Sequence, residues 1–261
     1  MLLTMLVANF AASWYATFSG QDAFDIQEKR PGLFFVFFVF AVVVLTFVIN
    51  GLGYILQLIY VLTYGGGYYD PDEWRLLMSH PILATSYNDF WNYRWHQLFR
   101  CIWLAIPFRP VLLLLKNNTN NSNPEKKQQQ SSQASLALAT LAVFFVSGLM
   151  HEYLILCGSG VRAYWNELIG QECLFFTLHG MAVILERAVQ PYLKVQTGVL
   201  ADTLKRIWVI WFAFRTFPLF LNGFAYWELW HANPFNMFTP YFLENVWRKY
   251  TILHAFCGSY L

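Results

Sequence analysis

Long runs of apolar residues, separated by short polar connections, dominate the hydrophobic pattern of this chain. A helix needs about 20 mostly apolar residues to cross a membrane. Residues 31–69 contain no charged side chain, and we divide them at Asn50–Gly53 into a span over about Leu33–Ile49 and a second, transmembrane or re-entrant helix to Leu62. The other predicted helical stretches are Leu2–Phe18, Cys101–Leu115, Leu136–Cys157, Cys173–Val189, Ile207–Phe224 and the amphipathic Met237–Phe256.

This pattern predicts an all-α, polytopic integral membrane protein with about six to eight transmembrane or re-entrant helices. The composition supports it, because 57% of the residues are hydrophobic and 12% are charged, whereas a soluble domain carries about 25% charged residues. The net charge of +2 is too small to indicate a nucleic-acid partner. The four cysteines lack the spacing of a metal site.

We treat residues 1–261 as a single membrane-embedded domain. Within it, residues 116–133 contain Asn, Gln, Ser and Lys but no large apolar residue. Such a composition predicts a solvated, disordered polar loop. Asn117 and Asn120 begin glycosylation sequons there, although an asparagine-rich segment produces sequons by chance.

A polar stripe precedes the apolar stretch Cys101–Leu115. Ser86 followed by Asp89 is the signature of a capping box, which predicts that a helix begins there. At 100° per residue, one face of this helix is polar and the other is apolar. The polar face contains Asp89, Asn92, Tyr93, His96, Gln97 and Arg100, and the apolar face contains Trp91, Trp95, Leu98, Phe99 and Ile102. The alternative interpretation is a helix lying at the membrane interface.

A second histidine occurs inside an apolar stretch. His151 and Glu152 interrupt Leu136–Cys157, and ionisable residues inside a span are costly, which makes them candidates for a functional site. Ser147 and Gly148 lie one turn earlier on the face of His151. These small residues fit either open volume beside the imidazole or close helix packing. A structural histidine is the alternative for His151.

Together the two segments resemble the wax synthase-like branch of the membrane-bound O-acyltransferases, most clearly over residues 80–157. The matching motifs are Phe90-Trp91-x-x-x-Trp95-His96, preceded by Thr85-Ser86 and Asp89, and Ser147-Gly148-Leu149-Met150-His151-Glu152. The resemblance implies an enzyme, usually of the endoplasmic reticulum, that joins the acyl group of acyl-CoA to a hydroxyl inside a membrane-embedded tunnel. Asn92 departs from the glycine common in this branch. The chain is also short for the superfamily, which leads us to expect a shortened N-terminal part.

The resemblance makes His151 the catalytic histidine and His96 its polar partner. A neutral imidazole can remove the proton of an alcohol as the alcohol attacks a thioester. His96 or Asn92 would donate hydrogen bonds to the oxyanion. The expected substrate-binding residues are Trp91, Trp95, Arg94, Arg100, Ser147 and Glu152, the two arginines because guanidinium groups suit the phosphates of CoA. We expect His96 and His151 to face one internal cavity from different helices.

The implied partners are acyl-CoA as co-substrate, a lipophilic alcohol (a fatty alcohol, sterol or terpenoid) and the lipid bilayer. We expect no cofactor, no metal and no nucleic acid. His179 has no partner at metal spacing, so we assign it a structural role. Arg215 would pair with Glu152 or Asp89, or reach the membrane interface. Two other functions compete: a non-catalytic lipid-binding or scaffold protein that retains the fold, and a small-solute transporter with a proton relay.

Overall fold

The computed structural model describes residues 2–64, 74–117, 124–192, 198–232 and 237–261, and every regular element within them is a helix. The α-helices are α1 (Leu2–Tyr15), α2 (Gly20–Lys29), α3 (Pro31–Thr63), α4 (Tyr87–Asp89), α5 (Arg100–Trp103), α6 (Arg109–Asn117), α7 (Pro124–Ser159), α8 (Val161–Ala163), α9 (Gln171–Val189), α10 (Val199–Tyr226) and α11 (Thr239–Phe242). Single π-helical turns follow α4, α5, α8 and α11 over Phe90–Arg94, Leu104–Phe108, Tyr164–Leu168 and Leu243–Trp247. Short 3-10 helices cover Pro81–Leu83, Gln97–Phe99, Gln190–Tyr192, Leu229–Ala232 and Thr251–Phe256. The predicted all-α fold is confirmed.

Several of these helices can cross a membrane. Four segments are long and apolar enough, namely Pro31–Thr63, Gln97–Leu115, Gln133–Ser159 and Val199–Tyr226. Val161–Leu168 and Gln171–Val189 pass the same test together, with a bend of 49°, as either a broken span or a re-entrant loop. The protein is therefore a polytopic membrane protein with four or five candidate spans among the described residues. The expected number of six to eight transmembrane or re-entrant helices stays a prediction.

The described helices form two compact units, one of residues 1–81 and 221–261 and the other of residues 82–220. In the first unit, α3 runs without interruption through Asn50–Gly53, so the predicted break is wrong. The Asn50 amide accepts the Met78 N–H at 2.8 Å and donates to the Met78 carbonyl at 2.9 Å. A Cβ atom on Gly53 would come within 3.1 Å of the Leu77 side chain. Asn50 and Gly53 therefore contact the segment that contains Leu77 and Met78, and they do not end the helix.

Aromatic side chains form the core of the first unit. The ring of Phe37 lies 4.3 Å from that of Tyr15 and 5.4 Å from that of Phe18, centroid to centroid. The indole N–H groups of this core also find acceptors. Trp14 donates to the Phe256 carbonyl at 2.8 Å, and Trp247 donates to the Ser13 hydroxyl at 2.7 Å. These bonds fix the direction of the tryptophans, which apolar contact alone does not do.

A single carboxylate joins the start of α2 to the last residues of the chain. One Asp22 oxygen accepts hydrogen bonds from the backbone N–H and hydroxyl of Ser19, and from the same two groups of Ser259, at 2.7–2.9 Å. Burial alone would raise the pKa of Asp22, but the hydrogen bonds from Ser259 and Ser19 lower this pKa below its ordinary value. The ionised form of Asp22 therefore stabilises this junction.

The second unit is built around the close crossing of α7 and α9. A Cβ atom on Gly148 would lie 2.7 Å from the Cα atom of Cys173, which is closer than packed atoms approach. A Cβ atom on Gly180 would lie 2.9 Å from the ring of Phe144. The absence of these two side chains lets the helices touch over most of the length of α9. Of the two sequence interpretations of Gly148, close helix packing is the one that the structure shows.

Only part of the polar segment 116–133 is described by the structure, so its disorder stays a prediction. Helix α6 extends to Asn117 and α7 begins at Pro124, so the backbone at residues 116–117 and 124–133 is helical. Residues 118–123 lie outside the described residues. Gln, Lys, Glu and Ser are acceptable in a helix, so a polar composition does not prevent an apolar helix from continuing into this segment.

Gly148 and Gly51 have different surroundings, so a methyl group added at each should have opposite effects on the stability of the fold. Gly148→Ala should destabilise the fold by about 1–3 kcal/mol, the usual cost of overpacking, because its Cβ would meet the backbone of Cys173. Gly51→Ala is the control, since Gly51 lies in helix α3 with no atom within 4 Å of the added group. Alanine there should stabilise the helix by about 0.5–1 kcal/mol. Melting temperatures in detergent measure both, and equal shifts of one sign would contradict the close crossing.

Asp22 predicts an acid-sensitive junction in the first unit. Its folded pKa is lowered, so its contribution to stability is present above its ordinary pKa and is lost as the pH falls through the folded value. Asp22→Asn should lower the melting temperature at neutral pH, and the difference from the parent should disappear in acid. Asp25→Asn is the control, because it removes only an exposed pair with Lys29. An Asp22→Asn difference that is independent of pH would contradict the role of the carboxylate.

Candidate active site

The polar stripe begins where the sequence predicts a helix to begin. Ser86 is the N-cap of α4, and its hydroxyl accepts the Asp89 N–H at 2.9 Å. The Asp89 carboxylate in return accepts the N–H of Thr85 at 3.3 Å, one residue earlier than in the standard capping box. The predicted helix start is therefore confirmed.

The helix does not continue to Arg100. After the π turn, Trp95 is extended and His96 has a left-handed backbone with φ of 42°. The Gln97 amide donates to the carbonyls of Trp91 and Trp95 at 3.2 Å and 2.8 Å, which satisfies acceptors that the helix end leaves open. The predicted single polar face from Asp89 to Arg100 is therefore wrong, because the chain changes direction at His96.

His96 occupies a strained and half-buried position. A positive φ is uncommon for a residue with a side chain, and such strain is concentrated at functional sites, although His80 and Glu228 share it here. The imidazole of His96 stacks on Phe99 with ring centroids 5.2 Å apart. Burial lowers the pKa of His96, so the ring is held in its neutral form. A neutral imidazole still carries one N–H that can donate a hydrogen bond.

His151 is held in one tautomer with one nitrogen open. Its Nδ1 atom lies 2.9 Å from the Ser147 carbonyl oxygen in the preceding turn of α7. A carbonyl only accepts, so Nδ1 carries the proton and Nε2 carries the lone pair. Among the described residues, no hydrogen-bond partner of Nε2 is found. The backbone therefore orients an imidazole whose basic nitrogen is available.

Aromatic rings connect His151 to the first motif. The His151 ring lies 4.5 Å from Phe176 and 5.9 Å from Phe220. Phe176 in turn lies 5.8 Å from Trp91. The two motifs therefore meet in the second unit, and the single shared cavity stays a prediction.

Asn92 and Arg94 each donate a hydrogen bond to a side chain of their own segment. The Asn92 amide donates to the Asn88 side chain at 2.9 Å. The Arg94 guanidinium donates to the Asp89 carboxylate at 2.7 Å, with about a quarter of each side chain exposed. Arg100 is exposed. Of the two predicted phosphate-binding arginines, Arg100 is therefore the more accessible one.

The predicted substrate-binding tryptophans are part of the packed interior. Trp95 stacks on Phe90 with ring centroids 5.0 Å apart. The indole N–H of Trp91 donates to His179 Nδ1 at 3.2 Å. Both are only partly buried and pack against the core cluster of this unit. Their observed contacts are with protein groups.

Ser147 and Glu152 connect the helices around His151. Ser147 is buried and supplies the carbonyl that orients His151. Glu152 is also buried, and one of its oxygens accepts the Cys173 N–H at 3.1 Å, which ties α7 to the first turn of α9. Arg215 is exposed. Of its two expected partners, Asp89 accepts a hydrogen bond from Arg94, and Glu152 accepts the Cys173 N–H.

Sequence reasoning did not find the contacts of His179, although it gave this residue a structural role. His179 Nε2 lies 2.9 Å from the Thr216 hydroxyl, and the Trp91 bond occupies its other nitrogen. These partners stand 37 and 88 positions away in the chain. The local periodicity of a sequence contains no information about contacts between residues so far apart in the chain. Among the described residues, no three His, Cys, Asp or Glu side chains are grouped so as to hold a metal ion.

The fold and these motifs define a polytopic all-α membrane protein with a histidine inside a membrane helix. Residues 74–178 match the Membrane bound O-acyl transferase family. The resemblance noted from the two motifs is thereby confirmed for this part of the chain, which contains both His96 and His151.

Individual relatives agree with this family. The long-chain-alcohol O-fatty-acyltransferase of Simmondsia chinensis is 32% identical over 43% of this chain and 27% of its own length. A probable long-chain-alcohol O-fatty-acyltransferase 6 of Arabidopsis thaliana is 29% identical over 53% of this chain and 35% of its own length. The acyl-CoA–sterol O-acyltransferase 1 of the same plant is 26% identical over 51% of this chain and 36% of its own length. The chain thus covers about a third of the length of these relatives. No solved structure matches it significantly.

Proposed function

We propose that this protein transfers an acyl group from acyl-CoA to the hydroxyl of a lipophilic alcohol within the membrane. One observation supports this function most directly: His151 donates its Nδ1 proton to Ser147 and keeps the Nε2 lone pair open. A structural histidine in an apolar interior satisfies both nitrogens, because an unpaired buried polar group is costly. An open, oriented imidazole nitrogen suits a general base.

The reaction needs one proton to move twice. His151 Nε2 takes the proton of the alcohol as its oxygen attacks the thioester carbonyl carbon. The carbon–sulfur bond then breaks, and the imidazolium returns the proton to the departing thiolate of CoA. The tetrahedral oxyanion requires a donor, and the neutral His96 supplies an N–H from the opposite motif. The products are an ester and free CoA, and no cofactor is consumed.

The substrate classes come from the relatives. Their names specify long-chain alcohols and a sterol as acceptors, so we extend the proposal to fatty alcohols and sterols, and from the family resemblance to terpenoid alcohols. Arg100 is exposed and would meet the phosphates of CoA, since a guanidinium group binds phosphate through two parallel hydrogen bonds. We place the protein in the endoplasmic reticulum, where the resemblance locates such enzymes.

The direct test is turnover by the purified protein. The protein in lipid nanodiscs would be given radiolabelled acyl-CoA and, in separate reactions, a fatty alcohol, a sterol or a terpenoid alcohol. Formation of labelled ester with at least one acceptor supports the function. A folded protein that binds acyl-CoA but forms no ester with any of them would contradict it and favour a lipid-binding or scaffold role.

The open nitrogen of His151 predicts the size of its contribution. His151→Ala should lower turnover by about 10²–10⁴-fold, the usual contribution of a positioned base. His96→Ala should lose about 10²–10³-fold if it supplies one oxyanion donor. His254→Ala is the control, because this histidine is exposed on a 3-10 helix of the first unit. Binding of acyl-CoA should survive in all three, since the cationic side chains are unchanged.

Folding must be compared in each variant, because removing a buried polar partner costs about 1–3 kcal/mol by itself. Melting temperature and acyl-CoA binding report on it. A well-folded His151→Ala protein that turns over at the parental rate would show that His151 is structural.

A further inference from the structure

His179 is buried in the second unit, and its hydrogen bonds indicate more than a space-filling role in the core. We propose that His179 is a positioning residue for the acyl-transfer site: it holds Trp91 in one orientation, and Trp91 sets the aromatic contacts of His151. This role rests on the proposed function. Two observations support it. Three successive hydrogen bonds link Trp91, His179 and Thr216 to a backbone carbonyl, and the ring of Phe176 lies between Trp91 and His151.

The hydrogen bonds assign the tautomer of His179. The Trp91 indole nitrogen only donates, so the His179 Nδ1 atom, 3.2 Å away, accepts and carries no proton. Nε2 then carries the proton and donates to the Thr216 hydroxyl at 2.9 Å. Thr216 in turn donates to the Phe212 carbonyl at 2.9 Å. Each donor has an acceptor, and no step can be reversed, because the indole and the carbonyl fix the two ends.

The chain of bonds joins three separate elements. Trp91 lies in the π turn after α4, His179 lies in the middle of α9, and Thr216 lies in α10. Only 1% of His179 is exposed, and its ring lies 4.3 Å from Phe175 and 5.1 Å from Tyr87. Water therefore cannot replace a lost partner. An apolar ring could fill this space, but it would not specify how Trp91 is rotated.

The orientation of Trp91 matters because of what the indole touches. One side of the indole meets Phe144 edge-on at 5.4 Å, and Phe144 itself occupies the space left by Gly180, the residue after His179. Another side meets Phe176 at 5.8 Å, and Phe176 lies 4.5 Å from the His151 ring. A rotation of the indole would move Phe176 and with it the wall against which His151 rests.

Catalysis is sensitive to displacements of this kind. A misplacement of about 1 Å at a distance from the reacting atoms can cost about 10²-fold in rate. His179 touches no reacting atom in this arrangement, so its effect passes through Trp91. The expected signature is a loss of kcat with little change in KM, because substrate contacts remain.

Two amide variants separate the two bonds of His179. The oxygen of an asparagine side chain occupies nearly the place of Nδ1, so His179→Asn keeps the acceptor for Trp91 and loses the bond to Thr216. The nitrogen of a glutamine occupies nearly the place of Nε2, so His179→Gln keeps the donor to Thr216 and loses the bond to Trp91. Each variant loses one hydrogen bond, so similar melting temperatures are expected.

The proposal predicts that kcat separates the two variants although stability does not. His179→Asn should stay within about 10-fold of the parent, whereas His179→Gln should fall by about 10²-fold with KM nearly unchanged. Thr203→Val is the control for a lost hydroxyl, since Thr203 bonds to the Val199 carbonyl on an exposed part of α10. Equal kcat values for the two amide variants would overturn the positioning role.

A spectroscopic measurement does not depend on activity. In the parent protein, the ¹⁵N resonances of His179 should show an unprotonated Nδ1 and a protonated Nε2, and Trp91→Phe should shift the Nδ1 resonance. A protonated Nδ1 would overturn the assignment. A parent without turnover would contradict the proposed function, and with it the role in catalysis, while these resonances would still report the bonds. If the parent is active and the two amide variants have equal kcat values, the positioning role is contradicted and the proposed function is not.

Discussion

The contact of α7 with α9 at Gly148 is the constraint on which the second unit depends. Because a Cβ atom there would lie 2.7 Å from the Cys173 Cα atom, the two backbones leave no room for a side chain at this position. His151 follows Gly148 by less than one turn, so this approach places its ring 4.5 Å from Phe176 on the facing helix. Glu152 closes the same crossing from the next position by accepting the Cys173 N–H. The site is thus a consequence of helix packing.

Polar groups in an apolar interior show by their partners whether they serve the fold or the chemistry. Asn50 and His179 use both a donor and an acceptor, and each binds elements that are distant in sequence. His151 uses only one of its two nitrogens among the described residues, and the residue is only partly buried. The difference is physical, because a fold gains nothing from an open lone pair. A substrate hydroxyl would supply the missing partner.

The sequence could predict what local forces decide. The cap at Ser86, the apolar spans and the two histidine motifs depend on neighbouring residues. The structure confirms the cap and an all-α polytopic fold, with four or five candidate spans among the described residues. The turn at His96 could not be predicted, because its side chain, unlike a glycine, gives no signal of a positive φ. The break predicted at Asn50–Gly53 was wrong because Asn50 is satisfied by Met78, 28 positions later. Partners this distant also explain why the bonds of His179 were missed.

The arginines and the indoles illustrate a second limit, which concerns competition between partners. A guanidinium group is suited to phosphate in any context, yet Arg94 already donates to Asp89. The Trp91 indole could face a ligand, but a buried imidazole nitrogen accepts its N–H. Residue type states what a side chain can bind, and packing decides what is left for a substrate. By that reasoning the open groups of the candidate site, among the described residues, include the Nε2 atom of His151 and the exposed guanidinium of Arg100. In the proposed acyl transfer, they would serve as the base and as a ligand for the phosphates of CoA.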